Sequence, residues 1–323
     1  TMALVQVHLP LVTIIVTAYN HEQYIGEAID SVLNQSYAPI QIILINNGSI
    51  DKKKKKILPY LQVNAELTYI QNTDNRGLCR AFNQGLFLAK GKYIVDLSGD
   101  DVLLKNRIER QVDFFEHLPA AYGVIFSNAI YWNANGHFMK YHYEIDPQKK
   151  AIPNIPSGVI FKDILEKYFI CTPTMMMRAD ILQALGGYDE SLAFEDFDFW
   201  VRSAVLCQYQ YQDEILTLKR EIPHSLGKQI IDKNNALLVS SLVVCQKAYA
   251  LCGHPEEFAA LSNRIQTFIR KCLYCEQFPV AFRFAALHGQ IKPVGIKTKL
   301  VLFLCRVKLP VNKFYRIYLK LFR

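Results

Sequence analysis

The sequence lacks features that would place it in two common classes of protein. It has no apolar stretch of the roughly eighteen residues that a membrane-spanning helix needs, so we do not expect an integral membrane protein. No GxGxxG motif follows its first strand-like run, which argues against a dinucleotide-dependent oxidoreductase.

The eight cysteines have no spacing typical of a disulfide framework, and we expect reduced thiols in a cytoplasmic protein. The CxxC formed by Cys272 and Cys275 has no second pair of metal-ligand spacing, and its surroundings have the pattern of one helix face. We therefore predict no zinc site there. No signal-peptide pattern precedes the first strand, which agrees with a cytoplasmic location.

Acidic residues are absent from the end of the chain. The formal net charge is +8, and the last thirty residues contain Lys and Arg but no Asp or Glu. This asymmetry indicates an acidic partner or surface near the C-terminus. Residues 300–323 interleave Leu, Phe and Tyr with basic residues, a pattern that suits the surface of an anionic membrane. An ordinary core-packing helix is the alternative, and no nucleic-acid partner is predicted.

Short apolar runs alternate with helical patterns in the N-terminal part of the chain. The runs are rich in β-branched residues, as in strands buried in a parallel sheet, and they are Val12–Thr17, Ile40–Ile45, Leu67–Ile70 and Tyr93–Leu97. This alternation predicts an α/β fold with a parallel sheet covered on both faces. Beyond residue 225 the patterns become long and helical, so we predict a main domain, 1–225, and a helical C-terminal region, 226–323.

Two adjacent carboxylates, Asp100 and Asp101, follow the fourth apolar run. The carboxyl ends of strands form the ligand-binding edge of open α/β sheets. Adjacent carboxylates repel each other unless a cation lies between them, and a divalent cation that carries phosphate oxygens meets that need. The alternative is a cap for the next helix, which is predicted to begin near Leu104. On that helix, Arg107 and Arg110 lie off the apolar stripe and are expected in solvent.

The middle of the chain is predicted to be rich in loops. After the strand-like residues Val124–Phe126, the sequence becomes aromatic and irregular as far as Pro156. A loop-rich stretch of this length inside a compact domain is usually a binding loop or a lid. Another helix is predicted to begin in a later acidic and aromatic segment. Asp196 and Asp198 could simply compensate the dipole of that helix.

Four segments, in this order, resemble the family 2 inverting glycosyltransferases of GT-A fold. They are VTIIVTAYNHEQYIGEAIDSVLNQSY, IILINNGSID, NRGLCRAFNQGLFLAKGKYIVDLSGDD and GGYDESLAFEDFDFW, and the resemblance covers about residues 10–225. It implies a GT-A nucleotide-diphospho-sugar transferase fold: a mostly parallel Rossmann-like sheet with helices on both faces, here followed by a C-terminal helical appendage. It also implies a bacterial enzyme of cell-envelope polysaccharide biosynthesis.

The resemblance assigns donor binding to loops at the carboxyl ends of the strands. The residues implied to bind the nucleotide sugar are Thr17, Tyr19, Asn20, Glu22, Asn47, Arg76, Asn83, Ser98 and Gly99. Arg76 would offset diphosphate charge. The loop at 17–22 has a plain strand-to-helix turn as its alternative role.

One departure affects the nucleotide base. The family's second strand usually ends in two aspartates, one of which pairs with uracil, whereas this chain has Asn46 and Asn47. An amide can still pair with a base edge. A UDP-sugar is therefore the donor that the resemblance implies, with the identity of the base left open.

The resemblance also implies a Mg²⁺ or Mn²⁺ ion, held by Asp100 and Asp101 together with diphosphate oxygens. Ser98 replaces the family's usual first aspartate, which makes Asp100 the first candidate ligand. The family often has a histidine after the last strand of the sheet. Ile222 stands at that place, and His224, two residues later, is the third candidate ligand. Lys219 and Arg220 in the same segment are candidate diphosphate contacts.

Glu195 and Asp196 match the family's acidic pair, in which the aspartate takes the proton of the acceptor hydroxyl. The implied enzyme moves a sugar from a nucleotide diphosphate to a glycan or lipid-linked acceptor, in the cytoplasm or at the inner face of the cell membrane. The helical region would then serve the membrane surface or the acceptor. Because several expected groups are replaced, a glycosyltransferase-like protein that binds nucleotide or glycan without turnover is the second hypothesis.

Overall fold

The computed structural model describes residues 9–50, 53–64, 66–152, 154–222, 231–233 and 235–322, and the chain divides into two compact units. The first, here called the sheet unit, contains Thr1–Val159, Ile170–Glu190 and Leu206–Glu221. The second, here called the helical unit, contains Ile160–Phe169, Ser191–Val205 and Ile222–Arg323. The boundary predicted at residue 225 lies outside the described residues and stays a prediction.

The described strands all belong to the sheet unit. They are β1 (Val12–Ala18), β2 (Ile40–Asn47), β3 (Thr68–Asn72), β4 (Tyr93–Ser98), β5 (Val102–Leu103), β6 (Tyr122–Asn133), β7 (Phe138–Tyr141), β8 (Glu144–Ile145), β9 (Ala151–Ile152), β10 (Met176–Arg178) and β11 (Gln208–Glu221). The described α-helices of both units are α1 (Ile25–Leu33), α2 (Lys53–Val63), α3 (Leu78–Leu88), α4 (Arg107–Glu116), α5 (Phe161–Glu166), α6 (Ala179–Ala184), α7 (Asp196–Ser203), α8 (Leu237–Leu251), α9 (Pro255–Tyr274), α10 (Phe278–Ile291), α11 (Ile296–Arg306) and α12 (Asn312–Phe322).

One nine-stranded sheet has the order β3-β2-β1-β4-β10-β6-β11-β5, with β7 paired to β6. Long parallel ladders join β1 to both β2 and β4, β2 to β3, and β6 to β11. The antiparallel ladders of β10, β5 and β7 contain only two or three residue pairs each. The mostly parallel sheet is therefore confirmed. Since β1 lies between β2 and β4, the loops that follow these three strands share one edge.

The first strand and helix form where the sequence pattern predicts them. All seven residues of β1 are buried, because its β-branched side chains pack on both faces of a covered sheet. On α1, the buried residues Ile25, Ala28, Ile29 and Val32 recur every three or four positions. Packing of this stripe against the sheet fixes where the loop between β1 and α1 begins and ends.

The prediction of an irregular stretch directly after Phe126 is wrong. The strand β6 continues to Asn133 and forms an antiparallel hairpin with β7, in which Ile130 pairs with Tyr141. Aromatic and β-branched residues are good strand formers, and Gly136 occupies the turn with a positive φ of 79°. The segment that carries the aromatic residues is thus an extension of the sheet.

The prediction that Arg107 lies in solvent is also wrong, whereas Arg110 is exposed and pairs with Glu214. The Arg107 side chain is fully buried. Its guanidinium donates to the carbonyl oxygens of Pro173 and Met175, to Thr217 Oγ1 and to Gln111 Oε1, at 2.6–3.0 Å. Burial lowers its pKa to about 9, so it remains charged at neutral pH. Arg107 therefore ties α4 to β11 and to the segment before β10.

In the helical unit, α9 is the central helix. Phe268 on α9 stacks on Phe284 of α10, with the ring centroids 5.3 Å apart. The buried guanidinium of Arg264 donates to the carbonyl oxygens of Ile164 and Leu165 at 3.0 Å, which satisfies free carbonyls at the end of α5.

All eight cysteines are free thiols. None of the helices within the described ranges is long and apolar enough to cross a membrane.

Candidate functional site

The loops after β1 and β4 are in direct contact. Thr17 pairs with Ser98 in the sheet register, and the Gly99 N–H donates to the Thr17 carbonyl oxygen at 2.8 Å. A Cβ atom on Gly99 would lie 2.6 Å from the Cβ of Ala18, closer than two non-bonded carbon atoms approach. Glycine at 99 therefore allows this close approach. The structure brings together Thr17, Ser98 and Gly99, all of which the sequence assigns to the donor site.

The loops after β1 and β2 are joined through Asn20. Its backbone has a positive φ of 55°, a conformation that asparagine tolerates better than most residues. The Asn20 N–H donates to Ser49 Oγ, and Asn20 Oδ1 accepts from the Ile50 N–H, both at 3.1 Å. Tyr19, in the same turn, exposes 38% of its surface. Glu22 follows in the same loop, so the structure groups the predicted residues Tyr19, Asn20 and Glu22.

Asn47 uses every hydrogen-bonding position of its side-chain amide within the protein. Its Nδ2 donates to Asn75 Oδ1 at 3.0 Å and to the Gly77 carbonyl oxygen at 3.2 Å. Its Oδ1 accepts from Asn72 Nδ2 and from the Arg76 N–H, both at 3.1 Å. An amide offers two donor hydrogens and two acceptor lone pairs. Asn47 therefore holds the loop between β3 and α3, and contact with a base would require one of these bonds to open.

Asn46 holds the end of β2. Its Oδ1 accepts from the Ser49 N–H at 3.1 Å, and its Nδ2 donates to Gln71 Oε1 at 2.9 Å. The Arg76 side chain, in the loop that Asn47 holds, is 42% exposed and lies 4.0 Å from Asp74 Oδ1. This exposure leaves the Arg76 guanidinium accessible to an anion.

Asp100 and Asp101 sit in the turn between β4 and β5, and their carboxylates have different partners. Asp100 Oδ1 accepts a hydrogen bond from Ser98 Oγ and lies 3.7 Å from His21 Nδ1. Asp101 Oδ1 accepts from the Arg220 N–H at 2.8 Å. Burial and the neighbouring Asp100 carboxylate raise the pKa of Asp101. The Asp100 carboxylate therefore faces the loop after β1, while Asp101 is bonded to β11.

Arg220, on the strand β11, holds this turn in place. Its guanidinium donates to the Asp100 carbonyl oxygen at 3.1 Å and to Glu27 Oε2 at 2.9 Å. The same group lies 4.4 Å from the ring centroids of both Tyr24 and Trp132, a cation–π geometry. The resemblance suggests a diphosphate contact for Arg220, and that role stays a prediction. Its bonds to the turn could not be predicted, because a position in the strand β11 does not reveal what lies across the sheet.

The side chains of this turn suit a divalent cation that is only partly enclosed by protein. In the part of the chain that the structure describes, no three His, Cys, Asp or Glu side chains form a metal-holding cluster. Two carboxylates together with substrate oxygens and water are nevertheless a common ligand set for Mg²⁺ or Mn²⁺. His224, the third predicted ligand, lies outside the described residues.

Asn83 binds the segment that follows Gly187 within the sheet unit. Its Nδ2 donates to the Tyr188 carbonyl oxygen at 2.8 Å, and its Oδ1 accepts from the Tyr188 N–H at 2.9 Å. The Tyr188 hydroxyl donates to Asp96 Oδ2 at 3.1 Å, and burial raises the pKa of Asp96 to about 7. Sequence analysis missed Asp96 because it treated the whole of β4 as an apolar strand.

Replacing Gly187 with alanine is expected to destabilise the fold more than the same change at Gly186. Both residues have positive φ, 81° and 69°, which costs any side chain about 1 kcal/mol. A Cβ atom at 187 would also lie 2.4 Å from Asn83 Oδ1, whereas none of the neighbouring atoms lies within 4 Å of a Cβ at 186. We expect G187A to cost about 1–3 kcal/mol more than G186A in urea unfolding. Equal losses would show that Asn83 does not constrain this segment.

The acidic pair lies in the helical unit, at the start of α7. Asp196 is the first residue of the helix, and its Oδ1 accepts from the Phe197 N–H at 2.6 Å. Glu195 precedes it, and both residues are partly exposed. A carboxylate at a helix N-terminus interacts favourably with the helix dipole. The dipole alternative raised from the sequence therefore applies to Asp196 without excluding a chemical role.

Asp198, two residues later, is held by two cations. Its side chain is only 1% exposed, and its oxygens lie 2.7 Å from Arg202 Nε and 2.5 Å from Lys247 Nζ. A buried carboxylate with two charged partners is well compensated. Asp198 therefore fixes α7 to α8 and so positions the backbone that carries Asp196.

A mostly parallel sheet with polar loops and two carboxylates at the carboxyl ends of its strands defines a class of α/β proteins that bind nucleotide-linked ligands at this edge. Within that class, the chain belongs to glycosyl transferase family 2, whose model matches residues 13–186. Membership of this family confirms the predicted class of enzyme.

Relatives with similar sequences have glycosyltransferase names. The chain is 31% identical over 220 residues to the uncharacterized glycosyltransferase MJ1057 of Methanocaldococcus jannaschii, covering 67% of this chain and 72% of that protein. It is 29% identical over 215 residues to the uncharacterized glycosyltransferase RP339 of Rickettsia prowazekii, covering 66% and 65%. The chain thus spans slightly less than two thirds of the Rickettsia protein.

Solved structures confirm the GT-A fold. The 1–349 fragment of TarS from S. aureus, crystallised with UDP-GlcNAc, has a TM-score of 0.67 and 17% identity, covering 94% of this chain and 91% of that one. The mannosyltransferase PcManGT from Pyrobaculum calidifontis, in complex with GDP-Man and Mn²⁺, has a TM-score of 0.60 and 15% identity, covering 97% and 84%. At these identities the likeness concerns the fold.

Proposed function

We propose that the protein is a metal-assisted inverting glycosyltransferase that moves a sugar from a nucleotide diphosphate to a hydroxyl of a glycan or lipid-linked acceptor. One observation carries the proposal: the turn that bears Asp100 and Asp101 is bonded to the end of β1, and the loop after β1 is bonded in turn to the loop after β2; both loops match the family's donor-binding segments. Family membership supplies the reaction class. The free thiols support the proposed cytoplasmic location, with peripheral contact at the membrane.

Asp100 is the stronger of the two described candidates for the metal ligand. Asp101 already accepts the backbone N–H of Arg220, and this bond directs its carboxylate toward β11. Asp100 is held from the side by Ser98 Oγ, which orients the carboxylate. A bound Mg²⁺ or Mn²⁺ would stabilise the negative charge of the leaving diphosphate. The exposed Arg76 guanidinium would contribute to the same charge compensation.

Asp196 is proposed as the general base. Inversion by direct displacement requires a group that takes the acceptor hydroxyl proton as the new bond forms. A carboxylate at the start of α7, a helix that Asp198 ties to α8, can receive that proton at a defined position. Glu195 would assist in placing the acceptor.

The complexes of the structural neighbours support a nucleotide-sugar donor, since TarS was crystallised with UDP-GlcNAc and PcManGT with GDP-Man and Mn²⁺. Of the possible donors, we propose a UDP-sugar. The four hydrogen bonds of Asn47 bear on this proposal because they leave its amide no free position for a base. Neighbouring groups in the loops after β1 and β2 would then recognise the base.

The second candidate function is nucleotide or glycan binding without turnover. It is favoured by the amides at 46 and 47 and by Ser98, which stand where the family usually has carboxylates. Metal-dependent hydrolysis of a nucleotide sugar, a slow side reaction of active transferases, would separate the two functions. Binding without hydrolysis or transfer for any donor would favour the second.

A thermal-shift screen of nucleoside diphosphates, with and without Mn²⁺, tests the donor site. A ligand at one hundred times its Kd stabilises the folded state by about 2.7 kcal/mol. For a chain of this size we expect the melting temperature to rise by roughly 4 °C, and only when Mn²⁺ is present. Adenosine diphosphate serves as the comparison ligand. If no nucleoside diphosphate stabilised the protein, the proposed donor site would be untenable.

A further inference from the structure

The last two helices expose an apolar ridge each. On α11 and just beyond it, Ile296, Leu300, Phe303 and Val307 are 54–80% exposed. At about 100° per residue, these four positions fall within roughly 60° of the helix circumference. On α12, Phe314, Ile317, Tyr318 and Leu321 are 48–72% exposed and follow the same three- and four-residue spacing. Soluble surfaces rarely carry so many large apolar side chains together.

Both helices bury their opposite sides against α9. On α11, Thr298 and Cys305 are buried, and Thr298 Oγ1 donates to Gln266 Oε1 at 3.3 Å. On α12, Asn312 Nδ2 donates to the Tyr274 carbonyl oxygen at 2.9 Å, and Tyr315 stacks on the Tyr274 ring at 4.4 Å. Since the inner sides are already packed, the ridges are not core faces. The core-packing alternative therefore accounts for the inner sides of both helices, and the exposed ridges need a separate explanation.

Basic residues flank the ridge of α11. Lys299 and Arg306 fall on one side of it and Lys297 on the other, by the same helical spacing, and all three are exposed. Long basic side chains can lay their stems along an apolar surface while their charges reach a polar layer. This arrangement, an apolar ridge with cations along its borders, is typical of helices that lie in the interface of a bilayer.

Two partners could cover these ridges, a second copy of the chain or a lipid surface, and the charge of residues 277–323 favours one of them. From Gln277 to Arg323 the sequence contains ten Lys and Arg and no Asp or Glu. A symmetric dimer would place this surface against its own copy and bring like charges together. An anionic lipid surface offers the opposite charge and an apolar layer for the ridge. At eleven residues each, α11 and α12 are far shorter than a bilayer is thick, so they would lie along the surface.

We propose that the ridges of α11 and α12 form a binding surface for an anionic bilayer. The inference deepens the proposed function, since it names where an enzyme with a lipid-linked acceptor would meet its substrate, but it is argued from the ridges themselves. The contact combines burial of the apolar ridge with attraction of the flanking cations, so it requires both.

Vesicle flotation of the 323-residue chain tests the proposal. The probes are vesicles of phosphatidylcholine alone and vesicles of phosphatidylcholine and phosphatidylglycerol in equal parts. We expect binding to the anionic vesicles to be at least about tenfold tighter than to the neutral ones and to weaken in high salt. No flotation with anionic vesicles, or equal binding to both kinds, would overturn the proposal.

Two double variants separate the contributions. L300S/F303S removes the centre of the ridge, and K299Q/R306Q removes flanking charge; each should reduce anionic-vesicle binding about tenfold or more. The matched control F87S/K90Q changes an exposed apolar residue and an exposed basic residue near the end of α3. It should bind anionic vesicles as the unchanged chain does. Circular dichroism and melting curves show that each variant is folded. Unaltered binding by either double variant would contradict the proposal, because the contact requires both the apolar ridge and the flanking charges.

Sedimentation and the nucleotide screen complete the test. A concentration-dependent dimer that both ridge variants abolish would identify the ridge as a protein interface and overturn the lipid assignment. The Mn²⁺-dependent thermal shift is measured without lipid, on the same variants. Its persistence in variants that no longer float separates the two proposals, and its absence from the unchanged chain would affect only the donor-site proposal.

Discussion

Replacing Asp196 with asparagine is expected to lower the rate of sugar transfer by about 10²–10⁴-fold. The amide keeps the size of the side chain, and its oxygen can still accept the N–H of Phe197, so α7 should form as before. It cannot take up the proton of an acceptor hydroxyl. The loss should therefore fall on kcat, with little change in the affinity for the donor.

The comparison needs transfer rates, donor affinity and stability measured on the same samples. Asp113 supplies the matched control, since it is an exposed aspartate on α4 with no proposed role in catalysis, and D113N makes the same chemical change. Retention of at least half of the transfer rate by D196N would rule out Asp196 as the base. Loss of rate with loss of the folded state would instead place the effect in α7.

Asp100→Asn is expected to remove the effect of Mn²⁺ on both donor binding and turnover. A metal that stabilises a leaving diphosphate contributes several kcal/mol, and each 1.36 kcal/mol corresponds to a factor of ten, so kcat/KM should fall by roughly 10²–10³-fold. The structural cost should be small because an amide oxygen can still accept from Ser98 Oγ. Titration of Mn²⁺ against transfer rate and melting temperature measures both effects.

Asp101→Asn and Asp74→Asn calibrate this result. The D101N amide oxygen can still accept the Arg220 N–H, so the turn should remain intact. A Mn²⁺ response that persists in D101N and disappears in D100N would assign the metal to Asp100. Asp74 is an exposed carboxylate in a neighbouring loop, and D74N should respond to Mn²⁺ as the unchanged chain does. If D100N also responds normally, the proposed ligand is wrong.

The elements that sequence analysis predicted correctly are those whose signal is local. The β-branched run of β1 and the three- and four-residue spacing of α1 each describe burial by neighbouring layers, and this is what parallel sheets and covering helices share. Asp100 and Asp101 could be placed at the sheet edge for the same reason, because they directly follow β4. The GT-A fold then followed from motif order.

The errors concern residues whose partners are distant in sequence. Arg107 lies in a polar position of α4, and its partners at 173, 175 and 217 are more than sixty residues away. The pattern of apolar residues along a helix predicts that arginine faces solvent. It contains no information about distant carbonyl groups that need a hydrogen-bond donor. Asn47 also has distant partners, since its bonds to the loop after β3 form only when two strands pair; its predicted contact with the nucleotide stays a prediction. The hairpin of β6 and β7 was missed because aromatic residues are common both in strands and in binding loops.

The bonds of Arg220 have a consequence for the local stability of the turn after β4. Its backbone and guanidinium connect β11 with the turn after β4, with α1 and with the hairpin turn at Ala134. A loop tied to so many buried elements exchanges its amide hydrogens only when a large part of the structure unfolds. The carboxylates at 100 and 101 therefore belong to the cooperative folding unit of the sheet, and changes in their geometry during turnover would have to come from side-chain rotation.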